Sequence, residues 1–369
     1  MNKITITSFE LKTLISQNKQ LKIIDVREQG EFESGAIENA LSWPLSKLDE
    51  IVDSQSEIHK DDPLVLYCAV GQRSLVAAEI MRNHGFKEAK SLDGGIEDWQ
   101  KSQGAITGAI FSASESERYA RHFRLEQVGA GGQQKLKAAK VAIVGLGGLG
   151  SPAALYLAAA GVGQLTLIDG DVVELSNLQR QVIHTTEEIG ANKAESAQKT
   201  ISAINPEIVA VATPVRLDKT NIEELLSDVD VIVNGVDNFP TRYLLSDFAV
   251  LKSIPLIDCA IVGFEGQLTV LAAGNPCYRC LYPTPPPQSL APSCSTHGVI
   301  GALPGVLGSM EAMEAIKIIV GAGETLGGRL LLYDALTPDF ITLKIERRED
   351  CPACGNGGPL IDPEELCAI

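Results

Sequence analysis

Two cations and a carboxylate follow a glycine-rich segment, and together they have the chemistry to handle a nucleoside triphosphate. The segment VAIVGLGGLG, residues 141–150, predicts a β-strand that runs into a turn and then a helix. Such a turn presents backbone N–H groups to phosphate oxygens. Arg180 and Lys193 can neutralise a triphosphate, and Asp237 can hold Mg²⁺ beside it. These groups fit attack of a carboxylate on the α-phosphate of ATP, which is adenylation. The glycines of the turn are Gly145, Gly147, Gly148 and Gly150.

A second reading of the same glycines is open. Asp169 ends the strand LTLID, nineteen residues after Gly150, where a carboxylate can accept hydrogen bonds from ribose hydroxyls of ATP or of NAD. An NAD-dependent oxidoreductase would leave Arg180 and Lys193 without a role, and a non-catalytic scaffold would be expected to have lost Asp237. No Lys-Ser or Lys-Thr pair follows the glycines, which excludes a Walker-type loop.

A cysteine with sulfur-transfer character lies near the start of the chain. The segment CAVGQRS begins at Cys68, directly after the strand LVLY and before a helix. A short loop of inward-pointing N–H groups at a helix N-terminus, with Arg73 alongside, stabilises a thiolate or the outer sulfur of a persulfide. Phosphatase loops of this shape usually have one more residue; four residues lie between Cys68 and Arg73, which favours sulfur chemistry.

Four further cysteines form two C-x-x-C pairs far apart in the chain. One such pair fits a redox site, whereas two pairs with Pro or Gly nearby predict a closed tetrahedral Zn²⁺ site without a catalytic role. Cys259 and Cys367 fit neither pattern, and we interpret them as bystanders. The predicted zinc ligands are Cys277, Cys280, Cys351 and Cys354.

The elements that must position these residues belong to an ordinary globular chain. Its 369 residues suffice for two or three domains, and a formal net charge of −16 argues against binding to nucleic acid or to an anionic membrane. The start of the chain lacks the pattern of a signal peptide, so we expect a cytoplasmic protein.

Alternating strands and helices predict an α/β fold in two parts. We expect an α/β domain at residues 1–104, a small polar linker at 105–117, a Rossmann-like domain with a mostly parallel sheet at 118–357, and a tail at 358–369. Strands are predicted at VAVAT, VDVIVNG, IPLIDCAIV and QLTVLA.

The first domain resembles a single-domain rhodanese. The matching segments are IIDVRE, EFESGAIENA, the Cys68 loop and LDGGIEDW, although Ala36 stands where family members often have histidine. The resemblance implies a sulfurtransferase whose Cys68 accepts sulfane sulfur. Asp25 and Arg27 are expected to stabilise the fold rather than react.

The second domain resembles the MoeB/ThiF/HesA family, relatives of the ubiquitin-activating enzymes. The matching segments include RYARH, GLGGLGS, DGDVVELSNLQRQ, NKAESA, VDN, CYRC, GSMEAMEAIK and CPAC. The resemblance implies that Arg121 reaches the nucleotide of a partner subunit in a homodimer. It also implies that Cys294 accepts or relays the activated carrier through a thioester or acyl-disulfide, as in some family members. His297 is close to Cys294 in sequence, and we expect it to lower the pKa of this thiol. Further nucleotide-binding residues by this resemblance are Asn177, Gln181, Asn238 and, as a weaker candidate, Asp171.

Together the two resemblances imply one reaction sequence. The enzyme would adenylate the C-terminal glycine of a small ubiquitin-like sulfur carrier with ATP, and the Cys68 persulfide would convert the adenylate to a thiocarboxylate. The segments NLQRQ and GSMEAMEAIK favour a MoaD-like carrier and molybdopterin synthesis, and a ThiS-like carrier and thiamine synthesis stay open. A cysteine desulfurase or thiosulfate is the expected sulfur donor.

Overall fold

A computed structural model describes the chain at residues 3–17, 20–56, 58–108, 110–272, 274–285, 298–337, 339–357 and 362–363. These residues form two compact units, Met1–Gln134 and Lys135–Ile369. Across the described ranges, no helix combines the length and apolar character that crossing a bilayer requires.

The first unit is built around a parallel sheet. Its five strands lie in the order β1-β6-β5-β2-β4, and β3 pairs with β7 in a separate antiparallel ribbon. The strands are β1 (Thr5–Ile6), β2 (Lys22–Asp25), β3 (Ala36–Ile37), β4 (Ala40–Ser42), β5 (Leu64–Tyr67), β6 (Ala89–Leu92) and β7 (Ile106–Thr107). Asp25 and Arg27 form a buried ion pair of 2.6 Å at the end of β2, in keeping with the predicted structural role.

Helices pack against this sheet, and two further helices follow it in the chain, the last of which crosses into the second unit at Lys135. They are α1 (Ser8–Gln17), α2 (Gln29–Glu33), α3 (Leu48–Ser54), α4 (Gln72–Asn83), α5 (Gly95–Lys101), α6 (Ala113–Arg118) and α7 (Gly129–Ala138). Helix α4 begins at Gln72, two residues before the predicted start near Ser74, so Arg73 and Ser74 lie in its first turn.

The segment predicted to be a linker, 105–117, contains regular structure. Strand β7 lies within it, and α6 begins after Ser112, whose hydroxyl accepts a hydrogen bond from Glu115 N–H in a capping box. Phe111 is buried and packs with Tyr119 and Phe123. A few apolar anchors and one cap thus order a segment that its small and polar composition suggested to be a spacer.

The second unit contains an eight-stranded sheet in the order β10-β9-β8-β11-β12-β13-β14-β15. The first five of these strands run parallel, and β13 to β15 extend the sheet antiparallel. The strands are β8 (Lys140–Val144), β9 (Gln164–Ile168), β10 (Val209–Thr213), β11 (Val231–Asn234), β12 (Leu256–Val262), β13 (Glu265–Leu271), β14 (Arg329–Asp334) and β15 (Phe340–Lys344). This arrangement confirms the predicted mostly parallel Rossmann-like sheet.

The apolar faces of this sheet are covered by helices. The central strands β8, β9 and β11 are almost entirely buried, which explains their continuous runs of Val, Ile and Leu. The helices are α8 (Gly150–Ala160), α9 (Lys193–Ile204), α10 (Ile222–Leu226), α11 (Phe239–Lys252), α12 (Tyr278–Leu281) and α13 (Ala302–Val320). Because β8, β9, β11 and β12 are parallel, their carboxyl ends meet at one edge, where such sheets bind ligands.

Candidate active site

The glycine-rich turn between β8 and α8 brings backbone atoms very close together. Gly145 has a φ of +88°, a conformation that favours glycine, and its N–H donates to the Ile168 carbonyl at 2.8 Å. A Cβ on Gly150 would lie 1.9 Å from the Gly145 carbonyl oxygen, so the first turn of α8 could not approach the strand with any side chain there. Gly150 therefore shapes the turn and does not line the cleft beside it.

Two side chains fix the peptide groups of Leu146 inside this turn. Asp169 accepts a hydrogen bond from Leu146 N–H at 2.8 Å, and the Leu146 carbonyl lies 3.0 Å from His184 Nε2. The other ring nitrogen of His184 lies 2.7 Å from the Ser196 hydroxyl on α9. His184 thus joins the turn to the helix that begins at Lys193, a role that the sequence analysis missed because both partners lie far from it in the chain.

A cleft of about 1260 Å³ opens over the turn at the carboxyl edge of the sheet. Its lining includes most of the residues predicted to bind a nucleotide: Gly145, Gly147, Gly148, Asp169, Asp171, Asn177, Arg180, Gln181, Lys193, Asp237 and Asn238. The structure therefore gathers residues spread over about a hundred positions of the sequence into one depression.

Asp171 holds two of the cations of the cleft. Its carboxylate lies 3.3 Å from Lys193 Nζ and 2.9 Å from Arg216 Nη2. Burial acts to raise the pKa of Asp171, but the hydrogen bond from Arg216 and the nearby Lys193 charge outweigh it and lower the pKa below its ordinary value. Lys193 is almost fully buried, whereas Arg216, which the sequence analysis missed, is largely exposed.

Three more predicted residues line the same wall. Arg180 is half-buried and donates to the Ser176 carbonyl at 3.1 Å, which leaves further N–H groups of its guanidinium for a ligand. Asn177 accepts a hydrogen bond from Glu174 N–H at 3.2 Å. Gln181 is buried, and among the described residues its Oε1 has no hydrogen-bond partner. A buried polar atom without a partner is costly, so Gln181 fits a site that a polar ligand completes.

Asp237 and Asn238 lie side by side after β11 but have different surroundings. Asp237 is exposed, and within the described ranges its carboxylate makes no hydrogen bond or ion pair, so it is available to a cation. Asn238 caps α11, because its Oδ1 accepts a hydrogen bond from Thr241 N–H at 3.0 Å. This cap is sufficient to explain an asparagine at position 238.

Part of the cleft has an aromatic wall, which the sequence analysis missed. Tyr278 and Tyr282 line the cleft, with ring centroids 5.0 Å apart. Tyr282 donates its hydroxyl to Gln267 Oε1 at 2.8 Å, and Tyr278 N–H donates to Ser246 Oγ at 3.0 Å. Tyr278 lies between two of the predicted zinc ligands in sequence, so this wall adjoins the cysteine cluster.

The four predicted metal ligands, Cys277, Cys280, Cys351 and Cys354, come together as one cluster, with every sulfur within 4.8 Å of the others. Neighbouring sulfurs lie 3.4 to 3.9 Å apart. A tetrahedral Zn²⁺ with bonds of about 2.3 Å needs sulfurs roughly 3.8 Å apart. The cluster is therefore compatible with zinc.

In the first unit, the Cys68 thiol is buried within its loop. Its sulfur accepts a hydrogen bond from Gly71 N–H at 3.1 Å and lies 3.6 Å from the Ser74 hydroxyl. Arg73 is partly exposed and donates both Nη groups to the buried Glu31 carboxylate at 2.8 Å. Burial acts to raise the pKa of Glu31, but Arg73 outweighs it and lowers that pKa. Glu31 thus orients the loop arginine, a long-range partnership that local motifs do not indicate.

The structure does not place two of the predicted residues in either site. Arg121 belongs to the first unit, so its predicted place at a partner subunit's nucleotide stays a prediction. Cys294 lies outside the described residues, and its predicted covalent role stays a prediction as well.

Comparison with known families assigns both units. The model of the ThiF family matches residues 119–353, well over half of the chain, and that of the rhodanese-like domain matches residues 9–102. The chain belongs to the ThiF family. The two matches confirm the predicted combination of a ThiF-type domain with an N-terminal rhodanese domain.

Two named relatives of this ThiF-family chain are adenylyltransferases. It is 47% identical to the sulfur carrier protein adenylyltransferase of Thermus thermophilus, over 70% of the chain and 99% of that protein. It is 48% identical to adenylyltransferase and sulfurtransferase MOCS3-1 of Zea mays, over 64% of the chain but 51% of that relative, about half its length. The chain is thus an enzyme that combines an adenylyltransferase with a sulfurtransferase.

The fold also occurs among solved structures. The crystal structure of E. coli MccB with AMPCPP and MccA superimposes with a TM-score of 0.57 and 25% identity, over 65% of this ThiF-family chain and 75% of MccB.

Proposed function

We propose that this enzyme adenylates the C-terminal glycine of a small ubiquitin-like sulfur carrier and then converts the adenylate to a thiocarboxylate with sulfur from a Cys68 persulfide. The observation that carries the proposal is the cleft in which Arg180, Lys193 and Asp237 surround the glycine turn, in a chain that also has a rhodanese loop. The names of the relatives from Thermus and maize support both halves.

The residues of the cleft suit the first step. A carboxylate oxygen of the carrier attacks the α-phosphorus of ATP, the bond to the bridging oxygen of the β-phosphate breaks, and pyrophosphate leaves. Backbone N–H groups of the turn, Arg180 and Lys193 oppose the negative charge that grows on the leaving oxygens. Asp237 has the free carboxylate that Mg²⁺ bound to the triphosphate requires, and such an ion neutralises phosphate charge.

The second step joins the chemistry of the two units. The outer sulfur of the Cys68 persulfide attacks the acyl carbon, AMP leaves, and the carrier is held as an acyl disulfide on Cys68. A small-molecule thiol then attacks the Cys68 sulfur. The thiocarboxylate is released, and the resulting disulfide is reduced by a dithiol.

We favour a MoaD-like carrier, with a ThiS-like carrier as the alternative, and a homodimer in which Arg121 reaches the partner's nucleotide. The test is ATP–pyrophosphate exchange with labelled pyrophosphate and each purified carrier. We expect exchange with an intact carrier and none with the same carrier lacking its C-terminal glycine. Carrier binding without nucleotide and without exchange would contradict the proposal.

We further propose that the cysteine cluster holds a structural zinc ion. Replacing Cys354 by serine is expected to lower bound zinc from about one ion per chain to near zero. The variant is also expected to lose about 2 to 3 kcal/mol of unfolding free energy. This loss corresponds to a fall in melting temperature of roughly 5 to 10 °C for a unit of this size. Elemental analysis and calorimetry measure both. The matched control, Cys259→Ala, removes a buried thiol outside the cluster and should keep its zinc; equal zinc in both variants would refute the site.

A further inference from the structure

The peptide groups on both sides of Val236, immediately before Asp237, are held by buried side chains. Val236 N–H donates to Asn234 Oδ1 at 3.1 Å, and the Val236 carbonyl accepts from Arg242 Nη2 at 3.2 Å. Asn234 ends β11, and Arg242 lies in the first turns of α11. The backbone that leads into Asp237 is therefore fixed from the strand before it and from the helix after it.

One carboxylate holds both of these side chains. Asp258, on β12, accepts a hydrogen bond from Asn234 Nδ2 at 2.6 Å, and its other oxygen lies 3.4 Å from Arg242 Nη1. Asn234 and Asp258 are paired directly across the parallel strands β11 and β12. All three side chains are nearly inaccessible to solvent: the exposed fractions are 0% for Asn234, 2% for Asp258 and 6% for Arg242.

Stability alone is a poor reason for this arrangement. Burying an ion pair costs desolvation of both charges, and well-packed apolar residues often serve a fold equally well. Burial acts to raise the pKa of Asp258, while Arg242 and Asn234 oppose that effect by pairing with the charged form. Two hydrogen bonds of this group end on Val236, and Arg242 also donates to the Cys259 carbonyl on β12. The two bonds at Val236 bear directly on the next residue in the chain, Asp237.

We propose that Asp258 and Arg242 are positioning residues that set the Asp237 carboxylate for the divalent cation accompanying the triphosphate. Asp258 orients Asn234 and Arg242, these hold the peptides around Val236, and the fixed backbone aims Asp237. The inference rests on the proposed function, since it assigns a cation to Asp237.

A neighbouring carboxyl provides a matched control. Glu311, on α13, is fully buried, and within the described part of the chain neither of its oxygens has a hydrogen-bond partner. Burial raises the pKa of Glu311 well above its ordinary value, with the Asp258 charge adding to the effect, which favours the protonated form. Glu311→Gln keeps the size of this buried side chain and leaves the hydrogen bonds of Asn234 and Arg242 to Val236 in place.

The experiment measures how binding of α,β-methylene-ATP, an unreactive ATP analogue, depends on Mg²⁺ concentration, by calorimetry on the full-length protein. Asp258→Asn keeps the side-chain size but replaces the carboxylate that faces Arg242 with an amide. Its N–H₂ group cannot accept a hydrogen bond from Arg242, and its oxygen is a weaker acceptor than a carboxylate oxygen. The half-saturating Mg²⁺ concentration is expected to rise about tenfold, the effect typical of groups that orient a metal ligand. In a protein that already carries Asp237→Asn, the same change should add less than twofold, because Asp258 acts through Asp237.

Two further measurements separate positioning from misfolding. Arg242→Lys retains the charge beside Asp258 but cannot reach both Asp258 and the Val236 carbonyl with one planar group, so it should raise the Mg²⁺ requirement while remaining folded. Glu311→Gln should leave that requirement unchanged. The inference is wrong if folded Asp258→Asn and Arg242→Lys keep the wild-type Mg²⁺ dependence. It is also wrong if the effects of Asp258→Asn and Asp237→Asn are additive. Either result would leave the proposed function intact. Failure of the wild-type protein to bind the analogue would overturn the proposed function with it.

Discussion

Replacing Lys193 by methionine is expected to slow carrier-dependent ATP–pyrophosphate exchange by about 100- to 1000-fold, the usual cost of removing one fixed group that opposes charge in a transition state. Lys193 is the first residue of α9, and its side chain is only 9% exposed. Its ammonium group is held by Asp171 at 3.3 Å within the cleft. Methionine preserves the length of the side chain and removes the charge.

The effect should fall on exchange rather than on folding. The position is anchored by its backbone, since Lys193 N–H donates to the Asp171 carbonyl at 2.9 Å and Asn192 caps the helix. The matched control is Lys199→Met on the same helix, where the side chain is 74% exposed and lies outside the cleft. It should exchange at the wild-type rate. A folded Lys193→Met protein within fivefold of wild type would remove Lys193 from the reaction.

Replacing Cys68 by serine is expected to abolish thiocarboxylate formation while leaving pyrophosphate exchange at the wild-type rate. A serine hydroxyl has the same shape but cannot carry a sulfane sulfur, so no persulfide forms. The buried setting of Cys68, with its hydrogen bond from Gly71 N–H, accommodates either atom. Intact-mass analysis of the enzyme after exposure to thiosulfate, and of the carrier after turnover, measures both steps.

The reciprocal variant completes this test. Lys193→Met should still gain one sulfur atom on Cys68, because the rhodanese unit has its own fold and loop. Two results would contradict the proposed division of activities between the two sites. In one, the Cys68→Ser protein still converts the carrier to a thiocarboxylate; in the other, it loses pyrophosphate exchange together with sulfur transfer.

Features that depend on neighbours in sequence could be predicted. The glycine turn, the loop around Cys68 and the paired C-x-x-C segments are local patterns, and the family matches and the cysteine cluster confirm the fold class that they indicated. The strands named from their apolar runs are present at 209–213, 231–234, 256–262 and 265–271. The roles of individual residues in the cleft stay predictions.

Features that depend on distant partners were not predictable in this way. Glu31 meets Arg73 across 42 positions, and Asp258 meets Asn234 and Arg242 through the register of two strands and a helix. Residue periodicity reports which face of an element is buried, but it does not report which polar groups meet there. The antiparallel extension of the sheet, β14 and β15, was also not anticipated, and every residue of β15 is exposed, so no alternation of buried and exposed positions marks that strand.

The short helix α12 links the cysteine cluster to the aromatic wall of the cleft. Cys280 contributes its sulfur to the cluster, and Tyr278, half a turn earlier, forms part of the wall of the cleft. Because α12 has only four residues, a shift of Cys280 would also move Tyr278. The position of the aromatic wall therefore depends on the cysteine cluster, so removal of the proposed zinc ion should also loosen the tyrosine side of the proposed nucleotide site.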